Sequence, residues 1–220
     1  MTAHAANTGA MLGCDEPGSR VWLRDTGDPG RKYPLSWELV EVAGGVLVGT
    51  NTALANPLVA EGIRDGTISA LQGFDRIRPE VPYGDHSRID LLLEKGSGDD
   101  GGQAVTGRGE VPAAGSCYVE VKNATMVTAG VARFPDSVSV RATRHLGELE
   151  KVAAAGYRAV VLFCLQREDA GEFRPADDID PVFGQALRQA EANGVEVMAY
   201  AAGVSISGIR LSRMLPVVLS

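Results

Sequence analysis

The sequence predicts a mixed α/β (α+β) protein, with a small N-terminal β domain followed by a larger α/β domain. Short, partly alternating apolar runs separated by glycine- and proline-rich turns occupy the first 50 residues, which is typical of a small barrel or sheet. Farther along, apolar runs alternate with helical patterns, which indicates right-handed crossovers in a partly parallel sheet. We therefore assign residues 1–50 to the β domain and residues 51–220 to the α/β domain.

The elements of the N-terminal domain follow from alternation and turn residues. Residues 20–23 and 37–42 alternate enough to predict strands, and the loop between them is rich in glycine and proline. Gly44-Gly45 then closes a hairpin into a strand over residues 46–49. Asn51 is expected to cap a helix that runs to about residue 64.

The α/β domain is predicted from runs that are more strongly apolar. A strand over residues 88–93 is followed by a glycine-rich segment over residues 96–116, which we interpret as a flexible insert in a hairpin. The remaining predicted elements are a strand over 117–122, a helix over 137–155, a buried strand over 159–165, a helix over 181–192 and a strand over 195–200.

Composition and charge limit the class of protein. The net charge is −7 and apolar residues make up 45% of the chain, which excludes disorder throughout and argues against a general binder of polyanions. No apolar run reaches the length of a membrane helix. Three widely spaced cysteines and the lack of a signal peptide predict a cytoplasmic protein with buried or incidental thiols.

Charge is distributed unevenly along the chain. Residues 80–122 carry a net charge of −4, and residues 123–158, which follow directly, carry a net charge of +2. An acidic block beside a basic block is compatible with a metal site next to a phosphate-binding surface.

Three residues form the strongest candidate for a catalytic site. Glu120 and Lys122 stand two apart in a predicted strand, so their side chains leave the same face. Asp90 lies in the preceding strand and converges with Glu120 if the two strands pair. Two carboxylates suit Mg²⁺, Glu80 would add a third, and Lys122 would orient water or stabilise charge on a phosphate.

A structural interpretation of the same residues stays open at this point. A glutamate and a lysine two apart in a strand are commonly two solvated charges on one face. Asp90 could also pair with Lys122 as a structural salt bridge. The strongly apolar character of both strands favours a site, because charges in such strands are costly unless they are paired or bound to a metal.

The chain resembles the sugar fermentation stimulation protein A (SfsA) family over nearly its whole length. The matching segments occur in the same order as in the family. They are Asn7-Thr8-Gly9-Ala10-Met11, Gly13-Cys14, Arg31-Lys32-Tyr33-Pro34, Trp37-Glu38, Asn51-Thr52, Ala55-Asn56, Glu80, Tyr83-Gly84, Ser87-Arg88-Ile89-Asp90, Tyr118-Val119-Glu120-Val121-Lys122, Phe134-Pro135-Asp136, His145-Leu146 and Glu148-Leu149.

The resemblance implies an N-terminal OB-like β-barrel and a C-terminal domain related to PD-(D/E)xK nucleases. It also implies non-specific DNA binding and a regulatory link to the use of sugar (maltose). In the nuclease pattern Asp90 takes the first acidic position, and Glu120 and Lys122 take the (D/E)xK positions. Glu80 would be the preceding acidic group.

The sequence departs from the family pattern in two places. It begins almost directly at Asn7, whereas family members carry a longer N-terminus that supplies the first strands of the barrel, so we expect a truncated barrel with an exposed edge. The glycine-rich insert over residues 96–116 lengthens the hairpin between the two acidic strands, and it need not alter their pairing.

Candidate DNA contacts lie in both domains. Arg31, Lys32, Tyr33 and Trp37 combine basic and aromatic groups within seven residues, as expected of an OB surface that binds nucleic acid. The alternative is a solvated turn followed by a tryptophan of the core.

A second set of candidate contacts belongs to the α/β domain. Arg88 would contact a phosphate or pair with Glu80. Arg141 and Arg144, together with His145, share a face of the helix over residues 137–155 and predict a basic ridge. A salt bridge between Arg144 and Glu148 is the alternative.

Three functions are compatible with the sequence. The first is a DNA-binding protein with a regulatory role, and the second is a Mg²⁺-dependent nuclease that uses Asp90, Glu120 and Lys122. The third is a metabolic binding module that holds a metal or a small ligand in its acidic pocket and does not contact DNA. Assembly into a homo-oligomer is compatible with each of them.

Overall fold

The computed structural model describes residues 1–7, 9–83, 87–96 and 112–220 of the chain. Most of the predicted insert over residues 96–116 lies outside these ranges. Thr8 and Gly84, which belong to the motifs quoted above, also lie outside the described residues.

The N-terminal domain is a sheet of four strands around a small core. Strand β3 (Leu35–Val42) lies at its centre and pairs with β1 (His4–Ala5), β2 (Val21–Asp25) and β4 (Val46–Gly49). The β1–β3 pair is parallel, and the other two pairs are antiparallel. The buried side chains of its core are Met11, Cys14, Val40 and Val48.

A six-stranded sheet forms the centre of the α/β domain. In chain order its strands are β5 (Arg76–Tyr83), β6 (Ser87–Glu94), β7 (Cys117–Ala124), β10 (Arg158–Leu165), β12 (Glu196–Ser205) and β13 (Gly208–Leu215). The order across the sheet is β13-β12-β10-β7-β6-β5. β7, β10 and β12 are parallel, because a helix links each of them to the next.

Helices cover both faces of this sheet and bury its apolar side chains. α1 (Ala55–Arg64) packs on one face through Leu58, Val59 and Ile63. α2 (Val140–Ala154) and α3 (Pro181–Ala192) pack on the other face. The central strands are therefore buried on both sides, which explains why β10 is apolar throughout.

A small third sheet lies at the start of the two helices α2 and α3. It contains β8 (Met126–Thr128), β9 (Val131–Phe134) and β11 (Glu172–Pro175), in the order β11-β9-β8. Phe134 at the end of β9 packs against Phe163 and Phe183. This packing fixes the turn that leads from Phe134 into α2.

Gln166 joins the two domains at the end of β10. Its backbone carbonyl accepts a hydrogen bond of 2.8 Å from the N–H of Gly49. Its side-chain amide donates to the carbonyl of Asn51 at 2.9 Å and to the side chain of Asn123 at 2.7 Å. One buried glutamine thus links the N-terminal sheet, the connection to α1 and the strand that carries Glu120 and Lys122.

Several predictions about local structure are confirmed. All the predicted strands and helices exist within a few residues of their predicted bounds. Asn51 caps a short 3₁₀ helix over Thr52–Leu54 that leads into α1, and all three cysteines are free and buried. None of the helices in the described residues is long and apolar enough to cross a membrane.

Other features of the fold were not anticipated. Val140 is apolar, but it is the first residue of α2 and its side chain is 80% exposed. Strands β1, β5, β8, β9, β11 and β13 were not predicted. β5 contains Pro79 and Pro82, and prolines are tolerated there because β5 is an edge strand.

The contact between Gly49 and Gln166 predicts a stability effect. A Cβ atom at position 49 would lie 2.4 Å from the side-chain oxygen of Gln166 and 2.9 Å from its Cβ. We expect Gly49→Ala to lower the free energy of unfolding by about 1–3 kcal/mol, because the buried amide must shift. Urea denaturation of the two proteins measures this change.

Gly203→Ala is the matched control for this experiment. Gly203 also lies in a strand, and nothing is found within 4 Å of a Cβ built there. An equal loss of stability in both variants would show that the effect belongs to glycine in a strand and not to the domain junction.

Candidate functional site

The site begins where the pairing of β6 and β7 stops. The two strands pair at Leu91 and Val119, and the next rung would join Asp90 to Glu120. At that point the carboxylate of Asp90 accepts a hydrogen bond of 2.8 Å from the backbone N–H of Val121. A side chain therefore takes the donor that a strand carbonyl would otherwise bind, and the charge of Glu120 is near enough to raise the pKa of Asp90.

The second carboxylate oxygen of Asp90 is bound by α1, which packs on one face of the sheet. The side chain of Asn56, in the first turn of α1, donates to it at 3.0 Å. Asp90 is thus held by a strand and by a helix, with both of its oxygens accepting hydrogen bonds. The alternative salt bridge between Asp90 and Lys122 is not formed, because Lys122 bonds to Glu120.

Glu120 lies almost fully buried beneath α2. The ammonium group of Lys122 lies 2.6 Å from its Oε1 atom. The Nδ1 atom of His145, on α2, contacts the same oxygen. Two donors therefore fix one oxygen of this carboxylate, Lys122 from β7 and His145 from α2.

His145 is contacted from both sides of its ring. The Nε–H of Arg141 donates to the Nε2 atom at 3.5 Å. The Nδ1 atom faces Glu120 and lies 3.4 Å from the Lys122 ammonium. The result is a chain of hydrogen bonds from exposed Arg141 through His145 to the buried carboxylate.

The electrostatics of the two carboxylates differ. Burial and the neighbouring charge of Glu120 raise the pKa of Asp90 to about 6. Burial alone would raise the pKa of Glu120, but the hydrogen bond from His145 and the charge of Lys122 outweigh it and hold that pKa below its usual value. Glu120 is therefore the carboxylate that stays ionised.

The donor set fits a divalent cation. The Oε2 atom of Glu120 is buried without a hydrogen-bond partner in the described residues, which is rare for a carboxylate. Asp90 lies near it, and the charge of Glu120 opposes the ionisation of Asp90. A hard cation with its own water ligands would satisfy the orphaned oxygen and offset both charges.

Glu80 does not join this pair. It lies opposite Asp90 in β5, but its side chain is 55% exposed and lies 3.6 Å from Arg88, to which it pairs. Its backbone φ of +54° is unusual for a non-glycine residue. The described residues contain no group of three potential metal ligands, so the metal site expected from three carboxylates reduces to Asp90 and Glu120.

The cations predicted on α2 are divided by the fold. Arg141 and Arg144 are exposed, and no carboxylate of the described residues lies within 4.0 Å of either. His145 was expected on the same ridge but is buried against Glu120. The alternative pairing of Arg144 with Glu148 is not observed, since Glu148 bonds to Lys151 at 2.7 Å.

The predicted contacts of the N-terminal domain lie apart from this site in the chain. Arg31 and Lys32 are exposed, and the Lys32 ammonium lies 5.1 Å from the centre of the Tyr33 ring. Trp37 is half-buried against the small core, and its N–H donates to the carbonyl of Leu39 at 2.9 Å. Packing accounts for Trp37, and DNA contact by these four residues stays a prediction.

Four further residues belong to the site or its surroundings. Asn56 and His145 stood in the motifs, but no pattern in the sequence indicated that they contact Asp90 and Glu120. The hydroxyl of Tyr83 is buried without a partner among the described residues, and burial and the charge of Glu120 raise its pKa. Gln166 carried no sequence signal, because its role depends on contacts with residues more than 40 positions away.

Two family models match the chain. The model of the SfsA N-terminal OB domain matches residues 1–50, and that of the sugar fermentation stimulation protein RE domain matches residues 53–208. The second match alone covers more than half of the chain. The chain belongs to the SfsA family.

Similar SfsA proteins share about half of their residues with this chain. A sugar fermentation stimulation protein homolog of Citrifermentans bemidjiense is 52% identical over 219 residues, which are 100% of this chain and 87% of that protein. A homolog of Thioalkalivibrio sulfidiphilus is 51% identical over 221 residues, covering 100% of this chain and 86% of the homolog.

A solved SfsA structure also matches. It is that of Pyrococcus furiosus SfsA in complex with Ca²⁺, with a TM-score of 0.82 and 27% sequence identity, covering 98% of this chain and 85% of that one. The predicted fold class is confirmed, with an OB domain at the N-terminus and an α/β domain that matches this SfsA structure.

The electrostatics of Asp90 predict that removal of its charge stabilises the metal-free protein. A pKa of about 6 in the folded state, above the ordinary value of 3.8, means that ionised Asp90 disfavours folding. This cost is complete above about pH 6 and fades as the pH falls toward 4. Asp90→Asn should therefore raise the free energy of unfolding by ~1–2 kcal/mol at pH 8.

The measurement is chemical denaturation in a chelator at pH 8 and pH 5. The gain should be smaller at pH 5, and the exposed Asp15→Asn should change stability little at either pH. A loss of stability in Asp90→Asn at pH 8 would contradict the charge repulsion inferred here, because Asn56 can turn its amide to bond the new side chain.

Proposed function

We propose that this SfsA protein binds DNA and hydrolyses its phosphodiester bonds with a divalent cation held by Asp90 and Glu120. The observation that supports it most is the buried, unpartnered Oε2 atom of Glu120 beside Asp90, with Lys122 at 2.6 Å from the other oxygen. A pair of acidic groups can hold a cation that activates water, and an amine beside them can stabilise charge on a phosphoryl group.

Each residue would have a distinct role in this reaction. When bound, the cation would polarise a phosphoryl oxygen and lower the pKa of a bound water. Asp90 and Glu120 would hold it, with Asn56 and the N–H of Val121 fixing the orientation of Asp90. Lys122 would orient the attacking water or stabilise negative charge on the phosphate.

The surroundings of the site favour a phosphate backbone as the substrate. Arg141 and Arg144 are exposed on α2, the helix whose His145 contacts Glu120, and have no carboxylate partner among the described residues. Arginine side chains can bind phosphate oxygens with two N–H groups. Mg²⁺ is the proposed cation, and the Ca²⁺ in the P. furiosus relative supports a hard cation in this family.

The first test separates cation binding from catalysis. Calorimetric titration with Mg²⁺ or Ca²⁺ should show one site in the wild type, and Glu120→Gln should weaken it at least 10-fold, because it removes the charge of the orphaned carboxylate. In the same proteins, nicking of plasmid DNA with Mg²⁺ or Mn²⁺ should fall at least 100-fold in Glu120→Gln.

Glu191→Gln is the matched control, since Glu191 is exposed on α3. It should bind the cation and cut DNA as the wild type does. Cation binding that persists unchanged in Glu120→Gln would exclude Glu120 as a ligand. Equal nicking by wild type and Glu120→Gln would assign the activity to a contaminant.

The contact between His145 and Glu120 predicts a difference between two substitutions. His145→Leu removes the donor to Glu120, and we expect a loss of about 10- to 100-fold in cation affinity or nicking rate, the usual cost of losing a group that orients a ligand. His145→Asn places an amide N–H near the position of Nδ1 and should recover most of this loss.

The readout that identifies orientation as the cause is the rescue by asparagine, with thermal denaturation checking that both variants are folded. His145 acts through Glu120 and is a positioning residue. If His145→Leu and His145→Asn lose cation affinity equally, His145 serves the packing of α2 and not the orientation of the carboxylate.

Non-catalytic DNA binding with a regulatory role in sugar use is the second candidate. The relatives are named for the stimulation of sugar fermentation, which describes a regulatory effect and not a hydrolytic one. Retardation of duplex DNA that weakens steeply with salt, without nicking under any cation, would favour this candidate. A protein that neither retards nor nicks DNA at low salt would exclude both.

A further inference from the structure

A polar cavity of about 330 Å³ lies at the carboxyl end of β7. Its walls come from three parts of the chain. They are the residues that directly follow Lys122, the turn from Arg133 to Ser139 that leads into α2, and Asn7, Gly9 and Thr52 near the domain junction. In parallel α/β sheets, ligands bind in crevices outside the carboxyl ends of the strands.

The walls are fixed by hydrogen bonds between the two domains. The backbone N–H of Met11 donates to Asp136 at 2.8 Å, and the hydroxyl of Thr52 donates to the carbonyl of Ala6 at 2.7 Å. A Cβ atom on Gly9 would lie 2.7 Å from the carboxylate of Asp136. Only glycine allows this approach, so Gly9 lies directly against Asp136 in the wall of the cavity.

The lining suits a neutral ring that carries hydroxyl groups and an apolar face. Thr125 and Ser137 contribute hydroxyls, and Met126, Phe134 and Pro135 contribute apolar surface. The two charged residues in the lining each have a hydrogen-bond partner. Arg133 bonds to Asp178, and Asp136 accepts from Met11. A nucleoside unit has this chemistry, and the cavity is too small for a base pair.

The cavity lies close to the candidate metal site along the chain. Asn123 lines it and is the next residue after Lys122 on β7. Ser139 lines it too, and His145 lies six residues farther along α2, or about 9 Å at 1.5 Å per residue. Three successive nucleotides of a stacked DNA strand, at about 3.4 Å each, would span this distance.

We propose that this cavity binds one unpaired nucleotide of the DNA strand whose phosphate lies at Asp90 and Glu120. The inference rests on the proposed function and specifies its substrate class. The protein acts on strands that offer an unpaired nucleotide, such as single strands, frayed ends or flaps. Unpairing costs less where a base is already unstacked, which makes such strands the preferred substrate.

The test uses a substitution at the mouth of the cavity. Ser137 is exposed and lines the cavity, so Ser137→Trp should fill it without disturbing the core. We expect a loss of at least 10-fold in affinity for a labelled thymidine decamer and a change below 2-fold for a blunt hairpin duplex, by fluorescence anisotropy at low salt in Ca²⁺. Val138→Trp, at the same mouth, should reproduce this pattern.

Ser207→Trp is the control, because Ser207 is exposed in the turn between β12 and β13. Wild-type affinity of Ser137→Trp and Val138→Trp for the decamer would overturn the cavity as a nucleotide site and leave DNA binding intact. A wild type that binds neither DNA would overturn the proposed function and this inference together. A free hexose could instead raise the melting temperature of the wild type. If Ser137→Trp loses this stabilisation but still binds the decamer, the cavity is a sugar site and the proposed nucleotide site is overturned.

Discussion

The hydrogen bond from the backbone of Val121 to the carboxylate of Asp90 is the interaction on which the site depends. It ends the pairing of β6 and β7 one rung after Leu91 and Val119, and it brings a charged group to the point where the two strands separate. Burying a carboxylate is costly unless donors surround it. The rest of the site can be understood as the set of donors that make one buried and one half-buried carboxylate tolerable.

Those donors come from every layer of the fold. α1 supplies Asn56 to Asp90 from one face of the sheet, and α2 supplies His145 to Glu120 from the other. Lys122 comes from the same strand as Glu120. The donors satisfy three of the four carboxylate oxygens and leave Oε2 of Glu120 without a partner in the described residues. Such an incomplete set is expected of a binding site and not of a structural salt bridge, in which each lone pair would be satisfied.

The strands of this site could be predicted from the sequence because they are strongly apolar. Glu120 and Lys122 could be placed on one face because they stand two residues apart in a strand. The same reasoning failed where contacts are distant in the chain. His145 shares a helical face with Arg141 and Arg144 and was expected to be exposed, yet the packing of α2 over β7 buries it. Glu80 was expected to join the carboxylates, but the positive φ at that residue accompanies a side chain that turns outward to Arg88. β13 was missed because most of its residues are exposed, so it carries little hydrophobic signal.

The net charge of −7 does not conflict with the proposed binding of a polyanion. Glu120 is buried and Asp90 is half-buried, and a bound cation would offset both charges, whereas Arg141 and Arg144 are exposed without carboxylate partners in the described residues. A phosphate that approaches α2 would therefore encounter cations before it encounters Glu120. Because Arg141 also donates to His145, a phosphate bound at Arg141 would act on the residue that orients Glu120. Under the proposed function, substrate binding and the orientation of the carboxylate would be connected through Arg141, by its 3.5 Å contact with His145.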